Sequence, residues 1–191
     1  NSLHGGTMGF DMVVWDTKQV DGQTLIFTYL SKDGEEGYPG NLTVKMTYQL
    51  TDKNEFIITH EATTDKKTII NLTHHSFFNL HGAGNGTIND HELMLCADKF
   101  TPVDKVLIPT GELASVDNTP MDFRKATPIG KRVNDDYQQL AYGHGYDHNW
   151  VIGTGYGVPH KVLTATGDQS GISMDLSTDY PGIQLYTANY L

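Results

Sequence analysis

The chain has 191 residues, 38% of them hydrophobic and 19% charged, which suits a folded domain and excludes a disordered segment. Thirteen Lys and Arg stand against 23 Asp and Glu, a net charge of −10; without a basic run to neutralise phosphates, a nucleic-acid partner is not expected. Apolar stretches are far shorter than the ~20 residues of a bilayer-spanning helix, so no membrane partner is expected, and the lone Cys96 allows neither an internal disulfide nor a Cys-rich metal centre.

Twenty Gly and seven Pro punctuate short segments of period-two alternation, the mark of strands. In chain order, residues 13–20 and 23–30 read as strands on either side of Asp21-Gly22, a pair that closes a tight hairpin. Segment 41–50 is the clearest strand: Leu42, Val44, Met46, Tyr48 and Leu50 alternate with Asn41, Thr43, Lys45, Thr47 and Gln49. Strands follow at 55–61, 68–80 and 92–100, with a long loop at 82–86. Residues 133–140 have the composition of a short helix, 153–159 form a second long loop, and 161–166 and 171–176 are strands joined through Gly167-Asp168. The pattern predicts an all-β chain, a large antiparallel β-sandwich with little helix, and a single domain over residues 1–191. The chain opens on His4-Gly5-Gly6 and stops at Tyr190-Leu191 directly after an apolar segment, which reads as a piece of a longer protein lacking flanks at both ends.

Nine histidines in an acidic chain raise the question of a metal. On an alternating strand His74 and His75 point to opposite faces and cannot chelate one ion. His144 and His148 have helical spacing, but Gly143-His144-Gly145 argues for a loop. No metal site is therefore assigned, and no Gly-x-Ser-x-Gly elbow supports a serine nucleophile. Polar and aromatic residues concentrate instead at His4-Gly5-Gly6, at 71–80 around His75, at Tyr146-Asp147-His148-Asn149-Trp150, and around Gln184 beside Tyr186. Imidazole, carboxylate and amide groups with aromatic rings suit a cleft for a polyhydroxylated ring. Each has a plainer role: a Gly-Gly turn, an Asx turn at Asp147, core packing for Trp150 and Tyr186, and structural hydrogen bonds for His60 and His91.

Taken in order, these segments resemble the aldose 1-epimerase family. The resemblance rests on Leu3-His4-Gly5-Gly6 with Gly9-Phe10-Asp11 and Trp15, the 33–40 segment Asp-Gly-Glu-Glu-Gly-Tyr-Pro-Gly, and the histidine segment 71–80. It continues through Pro102-Val103-Asp104, Leu107-Ile108-Pro109-Thr110-Gly111-Glu112, Gly145-Tyr146-Asp147-His148-Asn149 and 182–191. It implies a mutarotase-like supersandwich and an enzyme that interconverts the α and β anomers of free aldohexoses such as galactose and glucose, with no cofactor. His75 would be the general acid toward the ring oxygen, His4 the second active-site histidine, which hydrogen-bonds and places the sugar, and Asp147 and Gln184 the groups that bind hydroxyls. The partner would be a small-molecule aldohexose and the compartment cytoplasmic, with periplasm or export as alternatives; oligomeric state is not legible.

Two departures stand out. The family usually has Asn at the position of His74 and Tyr at that of Phe77. Its glutamate base falls C-terminal to the segment matched by 182–191 and its sugar-binding arginine N-terminal to His4-Gly5-Gly6. These 191 residues alone are therefore expected to be poorly active, with a non-catalytic carbohydrate-binding sandwich or a hexose-6-phosphate epimerase as alternatives.

Overall fold

The computed structural model describes residues 2–153 and 157–191. The expected loop 153–159 lies partly outside these. The chain divides into two compact units, Asn1–His75 and Ser76–Leu191.

The first unit is built on one antiparallel sheet in the order β1 (Asp16–Gln19), β2 (Thr24–Ser31), β3 (Leu42–Leu50), β4 (Phe56–Thr64). Asp21 closes the first hairpin as its composition implies: its carboxylate accepts the Gln23 N–H at 2.8 Å and the Thr24 hydroxyl at 3.3 Å. Between β2 and β3 the chain makes a short 3-10 turn, Glu35–Gly37, entered through left-handed Gly34 (φ 87°). Phe10, Trp15 and Tyr29 pack as a ring cluster with centroids 5.5–6.0 Å apart. Segment 41–50 forms its strand, but only Val44 of its apolar face is fully buried.

The second unit carries two four-stranded antiparallel sheets. One runs β11 (Ser173–Thr178), β10 (His160–Thr166), β5 (Glu92–Leu95), β8 (Thr127–Pro128). The other runs β12 (Gly182–Tyr186), β9 (Asp147–Val151), β6 (Lys99–Thr101), β7 (Ala114–Ser115). Leu93, Leu95, Val162 and Ala165 from the first share one core with Phe100 and Trp150 from the second, closed by Met121, Phe123 and Tyr146. This is a sandwich, as the alternation predicts. The helix α1 (Gln138–Gly143) begins five residues later than expected. It ends on left-handed His144 (φ 54°), where the Gly145 N–H reaches back to the Leu140 carbonyl at 3.0 Å.

Two strand expectations fail. Segment 68–80 forms no strand: alternation reports which way side chains point, whereas a strand also needs a neighbouring edge to pair with. Segment 92–100 is broken at 96–98, where Ala97 N–H turns back to Leu95 O at 3.0 Å and sends β5 and β6 into different sheets.

Candidate functional site

His4 lies in a turn closed by Gly6 N–H to Leu3 O at 3.0 Å. It holds the left-handed conformation at φ 50°, and Gly5 and Gly6 follow at φ 94° and 117°; a non-glycine residue kept there carries local strain, of a kind that clusters at functional sites. Gly9 is needed for a different reason, since a Cβ there would meet the His4 carbonyl oxygen at 2.4 Å. The turn directs the His4 ring edge-on toward His75, with centroids 5.0 Å apart. Both histidines are exposed, so an imidazole proton can reach a bound molecule. His74 takes a different direction, edge-on to Tyr48 at 5.6 Å and Phe56 at 5.8 Å. The divergence expected of a strand is thus kept although residues 71–79 form no strand. Burial, and secondarily the charge of His75, hold His74 below the usual histidine range; His60 is lowered in the same way by burial and by His74.

Asp147 and Gln184 come together in the second unit. In the β9–β12 pairing Asp147 stands opposite Tyr186 and Gln184 opposite Asn149, so the two are diagonal neighbours on one face. The Gln184 amide Nε2 donates to Asp147 Oδ1 at 2.8 Å. Asp147 is half-buried and Gln184 exposed. The Asx turn open to Asp147 is not what forms, since the residue begins a strand. Tyr186 meets Phe77 at 5.7 Å between centroids, while Trp150 is fully buried, donating its indole N–H to Met121 O at 2.9 Å. Thus the four candidates fall as two pairs, His4 with His75 in the first unit and Asp147 with Gln184 in the second.

One group that the sequence does not single out has metal-like spacing. His81, His91 and Asp168 bring ligand atoms within 4.8 Å of one another, with His81 Nε2 at 2.7 Å and His91 Nδ1 at 3.5 Å from Asp168 Oδ1. The tautomer of His91 decides its chemistry. Its Nε2 accepts the Leu80 backbone N–H at 3.0 Å, so in the neutral ring Nδ1 carries the hydrogen and offers no lone pair to a cation. Of the two rings only His81 hydrogen-bonds the Asp168 carboxylate, while His91 Nδ1 lies 3.5 Å from it without a hydrogen bond. His91 is held by the Leu80 backbone N–H, in keeping with the structural role open to it.

The family model described as aldose 1-epimerase matches residues 1–191. The chain belongs to the aldose 1-epimerase family. It is 44% identical over 191 residues to a galactose mutarotase of Homo sapiens, covering 100% of this chain and 54% of that protein. It is 36% identical over 196 residues to an aldose 1-epimerase of Escherichia coli, covering 100% of this chain and 55% of that one. Among solved structures, a galactose 1-epimerase from Lactobacillus acidophilus superposes with a TM-score of 0.86 at 31% identity, over 98% of this chain and 54% of its own. A GalM/aldose epimerase homologue from C. elegans gives 0.87 at 31% identity, over 100% and 56%. The chain thus spans about half the length of the relatives it matches.

Proposed function

We propose that the protein to which these residues belong is an aldose 1-epimerase acting on free aldohexoses, and that residues 1–191 are part of one mutarotase-like domain. The observation that carries the reading is the His4–His75 pair: two exposed imidazoles, edge-to-face at 5.0 Å, one set by a strained turn followed by two glycines at positive φ. Interconverting anomers requires a proton delivered to the ring oxygen and another withdrawn from the anomeric hydroxyl, then rotation about C1–C2 and reclosure. His75 delivers the first proton. His4 hydrogen-bonds the sugar and places it, and Asp147 and Gln184 take hydroxyls, the carboxylate as acceptor and the amide as donor and acceptor.

The family resemblance puts the glutamate base C-terminal to these residues, and four of the six glutamates here are already engaged. Glu35 is held by the Tyr29 hydroxyl at 2.9 Å, Glu36 by two backbone N–H groups at 3.0 Å, Glu55 by Thr51 at 2.8 Å and Glu61 by Lys45 at 2.6 Å. A free sugar is favoured over a sugar phosphate because both arginines are engaged. Arg124 binds Asp98, Asp117 and Asp122, while Arg132 donates to the Asp122 carbonyl and lies over the Phe123 ring at 5.2 Å. Neither is available as a phosphate clamp.

The test is polarimetry of α-galactose and α-glucose equilibration by the chain together with its natural flanking sequence. His75→Asn should lower the rate by about 10² or more while sugar binding, read by calorimetry, persists. An unsubstituted protein that binds hexose without interconverting it would show a non-catalytic carbohydrate-binding sandwich instead, and a His75→Asn variant with most of its activity would remove His75 as the acid.

A further inference from the structure

Glu35 and Glu36 are adjacent, yet their side chains serve different elements. Glu35 turns toward β2, where both carboxylate oxygens lie 2.9–3.0 Å from the Tyr29 hydroxyl. Glu36 turns toward the histidine turn: Oε2 accepts the Thr7 N–H and Oε1 the Met8 N–H, each at 3.0 Å. Two successive amides converging on one carboxylate make an anion nest, here filled by the protein itself. The fit is close, because a Cβ on Gly6 would lie 2.1 Å from Glu36 Oε2. Glu36 holds a left-handed backbone at φ 49°, between Gly34 at 87° and Gly37 at 85°. The local backbone is thus bent at some cost to aim this one side chain at residues 6–8.

We propose that Glu36 is a positioning residue for His4. Its carboxylate ties down the segment that immediately follows the strained His4-Gly5-Gly6 turn, so the His4 ring keeps its place against His75. The turn's own bond, Gly6 N–H to Leu3 O, fixes only one side of the turn; the Glu36 clamp fixes the other, to an element 28–29 residues away. The proposal rests on the epimerase reading for its consequence and on the clamp alone for its structure.

The experiment has two arms. In the first, amide resonances of the chain with its natural flanking sequence are compared with those of Glu36→Gln, whose side-chain NH2 must face one of the two backbone donors, and of Gly6→Ala, whose Cβ meets the carboxylate. Loss of a charged acceptor should move the Thr7 and Met8 amide protons upfield in both variants while β3 and β4 resonances stay put. Unmoved Thr7 and Met8 signals overturn the clamp whatever the enzyme does. In the second arm, kcat and KM are measured for Glu36→Gln, His4→Ala and the double variant, in the chain with its natural flanking sequence. Glu36→Gln should lower kcat/KM by about 10-fold, within the range that small misplacements produce, and should add nothing in the His4→Ala background. Additive effects overturn the positioning role. An inactive unsubstituted protein counts against the epimerase reading and leaves the clamp to be decided by the resonances.

Discussion

At the scale of single residues, His148 couples folding to pH. It is completely buried, edge-on to Phe100 at 6.2 Å, and its Nδ1 accepts the Asp147 N–H at 3.1 Å. Burial pushes its pKa down to about 4, whereas the unfolded chain takes up that proton near ~6.5. Between these values the unfolded state binds more protons, so stability is fully present above ~6.5 and is lost as pH falls toward 4, by roughly 3 kcal/mol in all. His60 and His74, also lowered mainly by burial, act with the same sign. Urea unfolding at a series of pH values should show this loss, and His148→Asn, though less stable at pH 7, should show a shallower decline. His74 offers a contrast with its neighbour. Its ring lies against Tyr48 and Phe56, away from the His4 pair, so on the proposed epimerase reading His74→Asn, in the chain with its natural flanking sequence, should cost less than about 10-fold in rate where His75→Asn should cost about 10². Equal losses in the polarimeter would show that the two act as one unit.

Elements show where sequence pattern is enough and where it stops. The strands at 41–50 and 161–166 are legible because alternation there coincides with real neighbours on both sides. Segment 68–80 has the same alternation and no ladder, and nothing in its own composition could reveal the missing partner. Asp147 and Gln184 are recognisable one by one through the family resemblance, but their bond follows from the β9–β12 register, a non-local quantity. Glu36 stands in the family-like segment 33–40, but its hold on Thr7 and Met8 is not legible there, because only the turn between two left-handed glycines aims it. The short helix departs from its expected place for a similar reason: its seat is fixed by Gln139, which donates Nε2–H to Val103 O at 2.9 Å and accepts the Val103 N–H through Oε1 at 2.8 Å. This pair is buried, so Gln139→Leu would strand a donor and an acceptor. It should destabilise the second unit by about 2–4 kcal/mol, measurable as a drop in denaturant midpoint with an unchanged slope.

For the molecule as a whole, apolar burial is uneven. Among the described residues, fifteen of the sixteen buried hydrophobic side chains belong to the second unit and only Val44 to the first. The first unit leaves Leu25, Leu30, Leu50, Phe56 and Ile57 exposed on its sheet, and Ile69 beyond it. Slowest-exchanging amides should accordingly lie in β5, β9 and β10, with β3 and β4 opening at lower free energy; hydrogen exchange showing the reverse order would contradict this distribution of stability. The two tryptophans mark the difference. Trp15 sits half-buried in the ring cluster of the first unit, with its indole N–H on Phe10 O at 2.9 Å, and Trp150 is wholly enclosed in the second. Each unit therefore carries its own built-in fluorophore, Trp150 emitting at the shorter wavelength of a dry surrounding. Replacing either by phenylalanine would give a single-colour reporter from which the order of melting can be read without any label.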